Sequence, residues 1–486
     1  MRLCLVNHNF KYELEKLIRL FLPFEKIEVF EKEDINDYCT ISKLENNYAF
    51  ASLYINDKNY QSSVKIENYN NNRDKDCELA LALAVFECFT DATGYFPDWG
   101  ILTGIRPAKL LSRLKKTWGK DKAETYFSNI LKVNPKKMDL CRQTLNGEGE
   151  ITSLSKPDSF SLYVSIPFCP SRCSYCSFVS HSVEQAQKLI PQYVKCLCKE
   201  LRLTAKIAKQ NNLKLETIYI GGGTPTTINA EQLETILKTV NENFDLSDLR
   251  EYTIEAGRPD TITREKLMVI KKYGATRISI NPQTMNDDVL KQIGRNHTAH
   301  DTVNAFSLAR ECGFDNINTD LIAGLPTDTF ESFKSTIGQV LALNPESVTV
   351  HSLSMKRSSR LTVKGVFPEV ECGKIASQMV DYANNILNQN GIHPYYMYRQ
   401  SKTVGNLENV GYSKKGFECL YNVFIMDETH TILSCGASAV TKLREPYGDY
   451  IERIFNYKYP YEYINNFEEI INRKSKIDGF YNTYKT

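Results

Sequence analysis

Cys169, Cys173 and Cys176 fall in a Cys-x3-Cys-x2-Cys spacing inside LYVSIPFCPSRCSYCSFVS. A loop of that length folds back on itself, so three thiolates can converge on one metal centre. Iron–sulfur cubes are held by Cys thiolates, usually four. Three ligands leave one iron open to an outside group, as a catalytic zinc site keeps an open position. That donor set suits a reactive centre. Zinc is the rival, because His181 follows Cys176 by five residues and would complete a Cys3His site. The aromatic and proline frame around the cysteines has no role in such a knuckle.

Further polar residues stand where strand patterns end. Gly221-Gly222-Gly223-Thr224-Pro225 follows TIYI, and glycines there let backbone N–H groups approach an anionic carboxylate closely. Alone such a run is often only a tight turn. Glu255 in TIEAG is suited to accept from a ribose or an ammonium, or simply to face water. Arg295 in IGRNH is either a bidentate carboxylate partner or a surface charge. Asp320 interrupts the apolar run NTDLIAGLP, where an acid must be paired or functional to offset its desolvation. Gln283 and Thr284 follow INP, as ligand contacts or as turn caps.

The frame Tyr-x-x-Ile-Pro-Phe-Cys-x3-Cys-x-Tyr-Cys resembles the cluster loop of the radical S-adenosylmethionine enzymes, in particular the coproporphyrinogen dehydrogenase (HemN/HemW/HemZ) group. The long N-terminal extension and the MYRQ and ENVGY segments look most like its HemZ branch. The resemblance spans roughly residues 160–400. It implies that Cys169, Cys173 and Cys176 bind a [4Fe-4S] cluster. It also implies that Tyr163, Tyr175, Ser177, Gly222, Gly223, Thr224, Glu255, Gln283, Arg295, Asp320 and Leu353 contact S-adenosylmethionine. The implied activity is oxygen-independent conversion of coproporphyrinogen III to protoporphyrinogen IX, with a flavodoxin or ferredoxin as low-potential electron donor. Two positions depart from the oxidase pattern: Ser165 replaces a histidine, and Phe178 replaces a fourth cysteine that the HemW heme chaperones also lack. A heme-binding protein using His297, His300, His351 or His393, or another radical enzyme acting on a tetrapyrrole, is the alternative.

These residues need a scaffold. LYVSI, TIYIGG, YTIEA, RISIN, INTDLIAG and SVTVHSL alternate with helical patterns, which predicts a parallel sheet with right-handed crossovers. We expect an α/β fold whose core is an incomplete (β/α)6 barrel over 158–355. A small α/β domain of unassigned role is expected over 1–150, and an α+β domain covering the substrate over 356–486. Chemistry at strand C-terminal ends is the rule for such barrels; the cysteine loop, the glycine run, Glu255, Gln283, Asp320 and His351 fall at, just past or within the six successive strand patterns. Residues 132–157 read as a linker, GILTGIRPAKLLSRL as a turn into a basic helix, and LYNVFIMDETHTILSC as a hairpin turning at Asp427–His430.

The chain has 486 residues, 42% hydrophobic and 24% charged, the balance of an ordinary globular protein. A net charge of +2 implies no nucleic-acid partner. No run is long enough for a membrane span, and LALALAVF stops at Glu87. MRLCLVNHNF is too short in apolar residues for a signal peptide. Fourteen cysteines without paired spacing suit a reducing cytoplasm. The eleven outside the loop, Cys372 among them, read as buried small hydrophobes. Substrate carboxylates need cations, for which Arg357, Arg360 and Arg399 are candidates.

Overall fold

The computed structural model describes residues 1–32, 35–176, 181–182, 186–355, 359 and 370–484, and divides into two units. The first comprises Met1–Arg142, Phe367–Gly373 and Arg399–Leu407. Its strands β1 (Arg2–Val6), β2 (Glu28–Phe30), β3 (Cys39–Glu45), β4 (Tyr48–Ile55) and β5 (Lys58–Lys65) lie in the order β2-β1-β3-β4-β5. Helix Lys11–Phe21 buries Leu14, Leu17, Ile18 and Phe21 at helical spacing, and Phe21 stacks on Phe89 of helix Arg73–Thr93. Asn72 caps the latter by accepting from the Lys75 N–H. The basic helix forms as Pro107–Trp118, with proline in its first turn.

The stretch expected to be a linker is instead largely helix, Pro135–Thr152. Its buried residues Met138, Cys141, Thr144, Glu148 and Ile151 recur every three or four positions, but two of the five are polar and Asp139, Arg142, Gln143 and Glu150 stand among them, which hides the period.

In the second unit (Gln143–Val366, Lys374–Tyr398 and Glu408–Thr486), six strands lie side by side in chain order and parallel. They are β6 (Ser159–Ile166), β9 (Lys214–Gly222), β10 (Glu251–Gly257), β11 (Arg277–Ile280), β12 (Ile317–Ala323) and β13 (Ser347–Ser352). The short strands β7 (Phe168–Cys169) and β8 (His181–Ser182) pair with each other. Helices Ile190–Gln210, Ala230–Asn243, Arg264–Lys272, Ala299–Glu311 and Phe330–Ala342 make the crossovers. This is the strand–helix order of the expected radical S-adenosylmethionine fold. The sheet is longer than six strands: β14 (His393–Arg399) and β15 (Glu408–Ser413) extend it beyond β13. At the other edge β16 (Thr431–Cys435), β17 (Val440–Arg444) and β18 (Ile451–Phe455) extend it beyond β6, giving eleven strands. β16 is parallel to β6, and β15 antiparallel to β13.

The hairpin expected around Asp427–His430 is not formed. Leu420–Asp427 is a helix, followed directly by β16. Its cap comes from a distant strand: Glu251 accepts from Leu420 N at 2.7 Å and from Cys419 Sγ at 3.2 Å. No residue near the helix signals that cap.

One face of the parallel strands is apolar. Leu162, Val164, Ile166, Ile218, Ile220, Ile254, Ile278 and Ile280 pack beneath Leu197, Leu201, Leu233, Ile236 and Ile270. The pleat turns the alternate residues to the opposite face. By register Ser161, Tyr163 and Ser165 lie beside Thr217, Tyr219 and Gly221, Glu255 beside Ser279, and Asp320 beside Thr349. Parallel strands buried on both sides normally read as apolar on both. A polar inner face, costly to desolvate, is the signature of a surface built for a polar ligand.

Candidate active site

The cysteine loop leaves the end of β6 and is tied to the glycine loop at the end of β9. Gly223 N donates to Ile166 O at 2.8 Å, and Thr224 N to Phe168 O at 2.8 Å. These N–H groups are therefore spent on the neighbouring loop rather than standing open to a ligand. The glycines are needed for that approach: a Cβ on Gly223 would lie 2.5 Å from Phe168 O, and Gly222 holds φ +111. Thr224 Oγ1 reaches Cys169 Sγ at 3.6 Å. Cys173 is buried, and Cys169 and Cys176 are half-buried. Cys176 N donates to Cys173 O at 3.3 Å, turning the loop between the last two sulfurs.

Arg295, buried after β11, donates to Tyr175 Oη and to Asn281 O, each at 3.0 Å. It touches the cysteine loop at the residue before Cys176, where the surface-charge alternative does not apply. Glu255 accepts from Tyr219 Oη at 2.6 Å. Burial pushes its carboxyl up to about 7, helped by the charge of Asp320 and opposed by the tyrosine hydrogen bond. Burial would raise Asp320 too, but the hydrogen bond and charge of His351 and the Asn318 amide outweigh it, and the net direction is down. Asn318 Nδ2 lies 2.8 Å and His351 Nε2 3.8 Å from the Asp320 carboxylate. Two carboxyls on one face are thus shifted in opposite directions, Glu255 up and Asp320 down, an arrangement typical of working sites.

Gln283 adopts φ +74, and its backbone bridges to β12 through Gln283 N to Asp320 O and Ile322 N to Gln283 O. Thr284 meets the cap reading: its hydroxyl accepts from Asn286 N and faces Thr336. Leu353 is buried and donates from its N–H to Ala323 O. Tyr163 stacks with Tyr219 (6.3 Å) and Tyr421 (6.0 Å), and the last two with each other at 4.6 Å. Ser177, Arg357 and Arg360 lie outside the described residues.

Two expectations are corrected. Arg399 is neither exposed nor open to substrate: it is 3% exposed, and its guanidinium donates to the carbonyls of Leu102, Gly104 and Asn406. Cys372 is exposed, unlike the ten other cysteines outside the loop. Among the alternative heme ligands, His297 is buried and His393 exposed, and His351 stands at the end of β13. Tyr219 and Tyr421 were missed as site residues. The pleat register with Tyr163 would have found Tyr219 once strand order was known, whereas Tyr421 arrives from far along the chain.

Residues 163–340 match the Radical SAM superfamily. The oxygen-independent coproporphyrinogen-III oxidase-like protein HemZ of Bacillus subtilis is 39% identical over 388 residues, covering 79% of this chain and 77% of that protein. The chain belongs to the radical SAM superfamily, in its HemN/HemZ/HemW group. Heme chaperone HemW of Bacillus subtilis is 34% identical over 267 residues, covering 54% of this chain and 66% of that one. Escherichia coli coproporphyrinogen III oxidase (HemN) superposes with a TM-score of 0.48 at 23% identity, over 66% of this chain and 71% of that one.

Radical SAM proteins use a [4Fe-4S] cluster and S-adenosylmethionine, and membership decides for iron–sulfur over the zinc reading. The residues present fit that cofactor pair. Three thiols sit on one loop beside a permanently charged arginine, and the adjoining polar face ends in two carboxyls. Among the described residues no three His, Cys, Asp or Glu side chains are grouped closely enough to hold a metal ion as they stand. The fit therefore rests on donor chemistry and loop placement.

Proposed function

We propose that this protein converts coproporphyrinogen III to protoporphyrinogen IX by oxygen-independent oxidative decarboxylation. The observation that carries the reading is the polar inner sheet face, ending beside the cysteine loop, in a chain 39% identical to HemZ. When bound, the cluster and S-adenosylmethionine would supply a 5′-deoxyadenosyl radical able to take hydrogen from a propionate β-carbon. Each propionate so treated releases carbon dioxide and one electron to an acceptor, leaving a vinyl group. In this reading Cys169, Cys173 and Cys176 hold the cluster, and Arg295 steadies Tyr175 beside it. Glu255 and Asp320 accept from the hydroxyl or ammonium groups of S-adenosylmethionine. The Tyr163–Tyr219–Tyr421 stack closes the inner face to water, which shields reactive intermediates. A flavodoxin or ferredoxin would be the electron donor, and the cytoplasm the compartment. Among the described residues no helix is long and apolar enough to cross a membrane.

A second reading, a heme-binding protein, is favoured by the HemW likeness and by Phe178 at the fourth-cysteine position. His351 would be its candidate ligand. Anaerobic incubation of iron-loaded protein with reductant, S-adenosylmethionine and coproporphyrinogen III separates the two. The first expects protoporphyrin after oxidation, with one 5′-deoxyadenosine per vinyl group. Tight stoichiometric heme binding without porphyrinogen consumption would favour the second.

A further inference from the structure

Arg258 follows β10 and is only 3% exposed. Its Nε and Nη2 donate to the two carboxylate oxygens of Asp260 at 3.0 and 2.9 Å, a bidentate fork. The turn Pro259–Thr261 fixes that fork, with Thr261 Oγ1 donating to Arg258 O at 2.8 Å. The remaining guanidinium nitrogen reaches the cysteine loop. Nη1 lies 2.7 Å from Ser171 Oγ and 3.3 Å from Ser171 O. Ser171 Oγ in turn donates to Gly294 O at 3.0 Å. Two residues beyond Cys173's neighbour Arg172 the hold is repeated: Ser174 N donates to Ile293 O at 2.9 Å, and Arg295 reaches Tyr175. The segment carrying Cys173 is thus pinned on both sides, by Arg258 just past β10 and by Ile293–Arg295, which follow the helix Asp287–Gln292. His297, buried 3.8 Å from Asp260, is pushed down to about 4 chiefly by burial, so it leaves the Asp260 charge to Arg258.

A buried ion pair is a poor way to gain stability, because desolvation offsets its attraction. Here it supplies something an apolar pair does not, a directed donor aimed at a loop with little core of its own. We propose that Arg258, held by Asp260, is a positioning residue for the cysteine loop. Through Ser171 it fixes the turn between Cys169 and Cys173, and with it how tightly the cluster is retained and how the cluster meets S-adenosylmethionine. The inference rests on the cofactor pair of the radical SAM superfamily and is independent of which tetrapyrrole is bound.

The test uses the full-length, anaerobically reconstituted protein with Arg258→Ala, Arg258→Lys and Ser171→Ala. Iron release to a chelator is timed, and the electron paramagnetic resonance of the reduced cluster is recorded with and without S-adenosylmethionine. Removing an outer partner of a metal site typically weakens retention about 10- to 100-fold, and that acceleration of iron release is expected for both alanine variants. The spectral change on adding S-adenosylmethionine should also need more ligand. Lysine, which lacks the fork, should restore retention only in part. Thermal melting of the cluster-free chain checks that each variant is folded. Should Arg258→Ala fail to fold, Ser171→Ala, which removes one hydroxyl, carries the test. Folded variants that keep iron and respond to S-adenosylmethionine as the parent does would overturn the proposal. Faster release in the Arg258 variants alone would overturn the route through Ser171.

Discussion

Glu255 and Asp320 show how one polar face shifts two carboxyls in opposite directions. Glu255 titrates near 7 in the folded chain, while its unfolded value is that of an ordinary carboxylate. Between the two, the folded chain keeps a proton that the unfolded chain has lost, so stability falls as pH rises through that window. Glu255→Gln is expected to flatten this part of the melting temperature–pH curve. In the proposed role, affinity for S-adenosylmethionine runs the opposite way, rising through about pH 7 as the carboxylate forms. Calorimetric titration at several pH values checks this, and the glutamine variant should lose the step. For the cluster, Cys173→Ala is expected to abolish iron retention and deoxyadenosine formation together, read by iron assay and chromatography.

At the scale of elements, tight contacts between strand ends matter more than the strands themselves. Gly223→Ala places a Cβ 2.5 Å from Phe168 O and 2.9 Å from Phe168 N, both backbone atoms that cannot swing away. Overpacking of this kind costs about 1–3 kcal/mol. It should also separate the glycine loop from the cysteine loop, so denaturant titration and S-adenosylmethionine binding should both register it. Glu251 plays a comparable part at the opposite end of β10, where it caps helix Leu420–Asp427 and shares a buried environment with Arg277. Glu251→Ala leaves the Leu420 N–H and the Cys419 thiol without their acceptor, and losing a helix cap costs about 1 kcal/mol. Chemical denaturation should show the loss with the far-UV spectrum of the folded state retained.

At the scale of the whole chain, a cofactor that binds only the folded state stabilises it by mass action. Chelator removal of the cluster is therefore expected to lower the melting temperature of the full chain with its helix content retained. Calorimetry and circular dichroism test both parts. Much of this architecture was legible in residues alone. The six parallel strands follow from the strand–helix alternation, because each buries an apolar face under the helix that follows it. The cysteine spacing and the IPFC frame pointed to the cofactor pair, since ligands on one short loop are close in space by covalent connection. Glu255 and Gln283 were visible as polar residues at or just past strand ends, Asp320 as an acid inside an apolar strand, and Arg295 through the family resemblance. Contacts between distant segments were not legible. Helix Leu420–Asp427 is not legible locally because its cap, Glu251, is supplied by another strand. The burial of Arg399 is not legible either, because its guanidinium partners, the carbonyls of Leu102, Gly104 and Asn406, include two from far along the chain. Local spacing, fixed by the covalent chain, decided the donor set and the strand order. Only tertiary packing decided the tyrosine stack, the split between the two carboxyls and the arginine hold on the cysteine loop, because each depends on which remote groups exclude water and share charge.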